Sequence, residues 1–478
     1  MLKRAWKIQA KKILNHQTKS VTSAALILAF ASFLSMALGF LRDRLLAARF
    51  GAGNELDIYY TAFRIPDFLT MVLVIGAIGA AITPVFSDYL VRSREDSLRF
   101  ISNLLNLFLV SLSFFSILLI IVAPLLIGLI APGFSEEKKD MAVSLTRIML
   151  LSPLLMGISN ILASVLRVFR RFVITSFSPI AYNLGIILGI VFFVPRLGLQ
   201  GLAWGVVFGS FLHLLIQVPV LAQVGLKFQR FFDFREQGFK KVLKLTLPRS
   251  IGLAAGQINL IAMTALASNL TSGKVAIFSF ADGRSRPVLS LVGISFSTAA
   301  FPVLALAFSR GDKEKFLRTF SASFSKILLL IIPLSVFLFI FRRPLVEIIL
   351  GSGKFAFAEV SLTAACLGLF SVGLLGQSLI LLLAKAFYAM QNTKIPAITS
   401  IVSVIINISL ALVFIRLLSS PGAFRNFFSF VLGLGDFSRI EIIGLPLAFS
   451  ISATIQFLLL WLLFRLKFQK WKTSATSI

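Results

Sequence analysis

Apolar residues run through the chain in twelve blocks separated by short basic or small-residue junctions. The blocks cover 21–41, 58–88, 101–131, 142–166, 173–195, 201–225, 250–270, 275–308, 319–341, 360–390, 395–417 and 442–464. A helix of about 20 residues crosses a hydrocarbon core of about 30 Å, so the pattern predicts twelve membrane-spanning helices. Several blocks are longer than one straight span. Pro66, Pro179 and Pro287 fall inside three of them, where a missing backbone N–H breaks or bends a helix. No junction exceeds about 25 residues, which leaves no room for a soluble domain. Any chemistry must take place in or beside the membrane.

Composition agrees with the pattern. Of 478 residues, 58% are hydrophobic and only 14% charged, against about a quarter charged in an ordinary soluble domain. The net charge of +28 would suit nucleic acid, but its distribution points elsewhere. The first twenty residues hold six Lys or Arg and no acid, with Leu2, Trp6, Ile8 and Ile13 interleaved, a pattern that suits a retained basic arm lying on an anionic leaflet. The apolar run that follows is too long for the core of a secretory signal. Alternate junctions, counting the arm and the tail, carry +23, while the junctions of the opposite side carry about +3. That asymmetry is the positive-inside signature, so both termini are expected in the cytoplasm and no nucleic-acid partner is needed. Cys366 is the single cysteine, and no disulfide within the chain is possible.

The spans divide six and six around KFQRFFDFREQGFKKVLKLTLPRS, residues 227–250. The expected organisation is a basic arm (1–20), a six-helix lobe (21–226), a basic cytoplasmic connector (227–249), a second six-helix lobe (250–466) and a basic tail (467–478). Two local similarities, ILASVLRVFRRF (161–172) with LILLLAKAFYAM (379–390) and GLAWGVVFGSFLHLLI (201–216) with GLPLAFSISATIQFLL (444–459), fall in the fourth and sixth span of each half. Halves with an even number of crossings share orientation, and paired lobes of this kind enclose a mid-membrane cleft in secondary transporters.

Ionised groups inside the blocks are the candidates for function, because charge at membrane depth is costly and persists with a partner, water or a task. Arg42, Asp43 and Arg44 follow the first block, Arg64 and Asp67 lie in the second, Arg147 in the fourth, Asp282, Arg284 and Arg286 in the eighth, and Lys326 near the start of the ninth. Arg147 and Lys326 sit close enough to span ends to snorkel. Arg64 and Asp67 are three apart and can bridge locally; Asp282 and Arg286 are four apart and can pair, leaving Arg284 on another face. Arginine predominates, and its planar, always-charged fork suits a phosphorylated anionic cargo.

Enzyme chemistry has little support. His16 and His213 are the only histidines, no nucleotide-binding Gly-rich loop is present, and Glu136, Glu137 and Asp140 sit among lysines in a short turn. Neither a cofactor nor a metal is expected.

LSMALGFLRDRLLAARFGAGNELDIYYTAFRIPDFL (34–69) and GAIGAAITPVFSDYL (76–90) resemble the opening helices of the MurJ/MviN family, the lipid II flippases of bacterial cell-wall synthesis. The resemblance continues through IAPGF (130–134), SLTRIMLLSP (144–153), FSPIAYNLGIILG (177–189), GLAWGVVFGSFLHLLIQ (201–217), GQINLIAMTALASNLTSG (256–273), GSGKF (351–355) and KAFYAMQNTKIP (385–396). It implies an all-α integral membrane protein of the multidrug, oligosaccharide-lipid and polysaccharide exporter type, with two six-helix lobes around a central cationic cavity. It also implies alternating access, and a lipid-linked diphosphate cargo for peptidoglycan. Membrane lipids are expected partners, and a coupling ion is left open.

Carried over by residue, Arg42 and Asp43 match the family's pair after Gly39 and Phe40, and Asp57 its acidic position opening the second helix. Three expected cationic positions are empty, at Met36, Thr70 and Gly283, and Ile75 stands where the family has a glutamate. Arg64, Arg284 and Arg286 would restore that charge from nearby. The candidate substrate-binding set is thus Arg42, Asp43, Asp57, Arg64, Asp282, Arg284 and Arg286. The family commonly carries two further helices beyond the twelfth. A Phe-rich stretch at 419–441 reads as an interfacial helix. Another polyprenyl-diphosphate oligosaccharide as cargo, and a non-transporting membrane scaffold, stay open as alternatives.

Overall fold

The computed structural model describes residues 21–75, 81–223, 229, 231–435 and 437–473, so the basic arm lies outside it. Among the described residues there is no strand. The chain divides into two compact units. One takes in the chain as far as Leu46, then Ile58–Leu129 and Phe134–Gln257; the other takes in Ala47–Asp57, Ile130–Gly133 and Ile258–Ile478.

The helices run, in chain order, α1 (Val21–Phe50), α2 (Asn54–Leu69), α3 (Thr83–Arg92), α4 (Arg94–Ile130), α5 (Glu136–Met149), α6 (Leu151–Val168), α7 (Phe172–Leu188), α8 (Val194–Leu197), α9 (Gln200–Leu215), α10 (Val218–Gln223) and α11 (Gln237–Ser268). They continue with α12 (Lys274–Leu289), α13 (Ser295–Ser309), α14 (Lys313–Ile340), α15 (Arg342–Leu350), α16 (Phe357–Ala389), α17 (Lys394–Ser419), α18 (Ala423–Leu432) and α19 (Gly444–Thr473). Among the described residues ten helical stretches are long and apolar enough to cross a membrane. They correspond to ten of the twelve expected blocks. The second block is divided between α2 and α3 around residues 76–80, which are not described. The seventh lies on α11, in which Gly252–Ser268 is a shorter apolar helix.

The prolines act where expected. Pro66 lies inside α2 and Pro287 inside α12, and each is followed within a turn by a wide π-helical turn, Thr70–Ile75 and Ser290–Ile294. A third π-turn, Gly189–Phe193, follows α7 and its Pro179. Pro66 cannot donate to the carbonyl of Ala62, one turn back. The buried Thr146 hydroxyl of α5 reaches that oxygen at 3.3 Å while also bonding Ala142 O at 2.7 Å, so the freed carbonyl is satisfied from a neighbouring helix. Proline followed by a π-turn thus recurs in the second span of each half.

In the first unit α7 packs closely on α9 through glycines. A Cβ on Gly185 would lie 2.3 Å from Gly209 Cα, and one on Gly189 would lie 2.4 Å from Gly205 Cα. Without a hydrophobic drive between helices in lipid, such backbone contact supplies the packing. The connector belongs to this unit. Asn103 donates to Asp233 O at 2.8 Å and accepts from its N–H at 2.8 Å, and Asn106 donates to Gln229 O and Phe231 O at 3.0 and 2.9 Å. His213 is buried, with Nδ1 2.7 Å from Ser159 Oγ.

In the second unit α16 is the central helix, buried along most of its length against α12, α13, α14 and α19. Aromatic rings fill the space between α14 and α19: Phe320 and Phe464 stack at 4.6 Å and Phe324 and Trp461 at 5.1 Å. Cys366 is buried in α16. The Phe-rich stretch at 419–441 contains α18, ten residues long, with Phe427 and Phe430 exposed along one face.

Candidate functional site

The first cluster forms where α1 meets α7. Arg42 Nε donates to Asp43 Oδ1 at 2.9 Å and its Nη2 lies 2.8 Å from the same oxygen. Arg42 Nη1 also donates to Asn183 Oδ1 at 3.1 Å, and Asn183 Nδ2 donates back to Ser35 O and Ser35 Oγ at 3.1 and 3.2 Å. The guanidinium is therefore held by a carboxylate and an amide while 27% of its side chain stays accessible. Tyr59 and Tyr60 lie within electrostatic range of it. Arg64, on α2 in the same unit, is buried. Arg44 is exposed, one position past the pair.

A second arginine–carboxylate pair lies in the other unit, on α12. Arg286 donates from Nε to Asp282 Oδ2 at 2.7 Å, with Nη2 2.6 Å from that oxygen, and 52% of the Arg286 side chain is accessible. Arg284 does lie on another face. It is buried, donates from Nη1 to Phe280 O at 3.0 Å and holds its guanidinium 5.1 Å above the Phe280 ring. Each unit thus carries, among the described residues, an accessible arginine braced by a carboxylate near it in sequence and a buried arginine elsewhere in the unit.

Asp57 has a different situation. It is 2% exposed, and its two oxygens accept from Gly273 N at 2.6 Å and Ala276 N at 2.9 Å, at the N-terminus of α12. Both oxygens face amides that no helix turn can satisfy, at the positive end of the helix dipole. The geometry gives Asp57 a tethering task at the N-terminus of α12. The same contact explains why Ala47–Asp57 belongs to the second unit. Gly273 adopts φ +86° with the Ala52 carbonyl against it, where a Cβ would lie 1.9 Å from that oxygen, and Lys354 N donates to Ala48 O at 2.9 Å.

Arg147 is exposed and donates from Nε to Ile120 O at 3.3 Å, and Lys326 is also exposed. Sequence reasoning missed Asn183, whose amide holds Arg42. Its signal was a polar residue in the otherwise apolar run AYNLGIILG. It also missed Lys274, which is buried and donates to Arg439 O at 3.0 Å.

Two units of long apolar helices, interrupted by proline and π-turns and carrying buried arginines, define a multi-pass, all-α integral membrane protein with the architecture of a transporter. At 14% identity the chain is similar to a solved inward-facing MATE family multidrug transporter of the MOP superfamily, with a TM-score of 0.72 over 94% of this chain and 99% of that one, which establishes a shared fold. At 26% identity it is similar to a solved lipid II flippase MurJ in an inward closed conformation, with a TM-score of 0.73 over 92% of this chain and 87% of that one. It is 32% identical over 435 residues to a probable lipid II flippase MurJ of Buchnera aphidicola subsp. Schizaphis graminum, covering 90% of this chain and 80% of the relative. It is 29% identical over 402 residues to the lipid II flippase MurJ of Burkholderia cenocepacia, covering 82% and 78%. The model of the family described as lipid II flippase MurJ matches residues 46–478. The chain belongs to this family.

Proposed function

We propose that this protein carries lipid II, an undecaprenyl-diphosphate-linked peptidoglycan precursor, across the bacterial cytoplasmic membrane by alternating access, as a transporter without a catalytic step. The observation that carries the reading is the family match across residues 46–478. The arginine chemistry supports it. A diphosphate headgroup crossing hydrocarbon unaided would leave its charges unsolvated at a cost of many kcal/mol. Arg42 and Arg286 offer forks that grip two phosphate oxygens, and Asp43 and Asp282 hold those forks in place until a more highly charged anion competes for them. Arg64 and Arg284 add fixed positive potential from buried positions. The excess of basic residues on one set of junctions supports placing both termini in the cytoplasm.

The test is complementation. The chain is expressed in cells depleted of their own lipid II flippase, and precursor reaching the outer leaflet is measured. Wild-type chain should restore it. Arg42→Ala and Arg286→Ala should not, at unchanged membrane level. Restoration by both alanine variants would remove the arginines from the cargo path, and no restoration by the wild type would remove the proposed cargo.

A further inference from the structure

Between α13 and the first half of α14 lies a groove of about 740 Å³ whose lining includes neither arginine–carboxylate pair. Its lining follows from helix geometry. On α14, Arg318, Ala322 and Lys326 recur at four-residue intervals and form one ridge, while Lys315, Thr319 and Ser323 form the next. On α13, Phe296, Ala299, Ala300 and Val303 form the opposing wall. One side of the groove is therefore cationic and hydroxylic, and the other is apolar. Ala322 leaves open the space between the two charges flanking it.

Neither Arg318 nor Lys326 has a hydrogen bond or ion pair among the described residues. The acids present are at the start of α14: Asp312 caps the helix by accepting from Lys315 N at 2.9 Å, and Glu314 lies at the mouth. Eight residues of helix separate Arg318 from Lys326, about 12 Å of rise, a span that two long side chains can close around one phosphate. Below Lys326 the same helix turns apolar, and Leu329, Leu330, Ile332 and Val336 are all exposed. The charged ridge therefore ends where a lipid-facing stripe begins.

We propose that this groove binds an anionic glycerophospholipid, with the headgroup phosphate between Arg318 and Lys326, hydroxyl contacts from Thr319 and Ser323, and the acyl chains along the wall of α13 and the exposed stripe of α14. A soluble phosphate would make no use of the apolar wall. A zwitterionic lipid would bring its own ammonium against the cations. The exposed apolar stripe and the two unpaired charges together select an amphiphile of negative charge.

The test uses the full purified chain in zwitterionic micelles, titrated with phosphatidylglycerol, with phosphatidylcholine of the same acyl chains, and with glycerol phosphate, and followed by native mass spectrometry. One phosphatidylglycerol should be retained in preference to phosphatidylcholine, and glycerol phosphate should not bind. Arg318→Ala with Lys326→Ala should weaken phosphatidylglycerol binding by about tenfold or more, while Arg318→Lys with Lys326→Arg should keep it. Ala322→Leu fills the groove without changing charge and should weaken binding as well. Equal retention of the two lipids, wild-type binding by Ala322→Leu, or a second copy of the chain occupying the groove would each overturn the proposal. Thermal unfolding of each variant checks folding. If the double alanine variant fails to fold, Ala322→Leu against the charge-conserving pair decides.

Discussion

Replacing Asp57 with asparagine tests the tether at the start of α12 with the least change of shape. The carboxylate accepts two backbone N–H groups, from Gly273 and Ala276, at 2.6 and 2.9 Å. A hydrogen bond to a charged group contributes about 1.5–3 kcal/mol, and an anion at a helix N-terminus adds about 0.3–1 kcal/mol. Asparagine keeps one neutral acceptor and turns its amide N–H2 toward the second donor. The expected loss is about 3 kcal/mol, or roughly a hundredfold in the local opening equilibrium. The assay is hydrogen exchange on the purified protein, read at the amides of 273–276. Their protection should fall by about two orders of magnitude in Asp57→Asn and further in Asp57→Ala, which leaves both amides buried without an acceptor. At 2% exposure the contact is poorly screened, so raising salt should not reproduce the effect in the wild type. Wild-type exchange rates in Asp57→Asn would refute the tether, because another group would then be holding those amides.

Four further outcomes follow from contacts elsewhere. Thr146→Val leaves Ala62 O, freed by Pro66, without its donor and should destabilise the protein by about 1 kcal/mol in thermal unfolding, a modest figure because the hydroxyl proton is shared with Ala142 O. Gly185→Val drives a Cβ into the backbone of Gly209 and should lower folded yield sharply, whereas Gly128→Ala, with nothing within 4 Å of its Cβ, should not. Asn183→Ala removes an acceptor from Arg42 and should cut transport while leaving the Arg42–Asp43 pair in place, which complementation measures. Glu236, in the connector, has its carboxyl pushed above the usual range, first by burial and then by the nearby Asp233 charge, against the bond from Asn103. Its protonated form is favoured in the folded state. That contribution is present below the unfolded pKa and is lost as pH rises through the folded pKa, so the melting advantage of Glu236→Gln over wild type should grow between pH 4 and pH 7.

Much of the architecture was legible because lipid imposes a simple constraint. Every spanning backbone must satisfy itself as a helix, so block length alone locates ten spans. The prolines were legible too, since the loss of one N–H has a local consequence. The missing donor at Pro66 could be inferred from the sequence, but not that Thr146, eighty residues on, would answer it. The same limit applied to the charged groups. Spacing i to i+4 identified Asp282 and Arg286 as a pair, and they pair at 2.6 Å. An acid near a helix start looks the same in sequence whether it caps its own helix or a distant one, so the contact of Asp57 with α12 could not be read there. Its partners are more than 200 residues away, and no periodicity carries that information. Asn183 was hidden for the same reason.

Burial separates arginines that sequence spacing treats alike. A charge can persist inside a membrane protein because it is braced or because it is used. Arg284 is 6% exposed and lies against Phe280, and Arg64 is equally buried, so alanine at either position removes packing and field together. Arg42 and Arg286 keep accessible forks with a carboxylate beside each, and neutralising them tests charge with less disturbance of the fold. In each unit the accessible arginine and the carboxylate beside it sum to no net charge, so alanine at Arg42 or Arg286 leaves that carboxylate uncompensated as well as removing the fork.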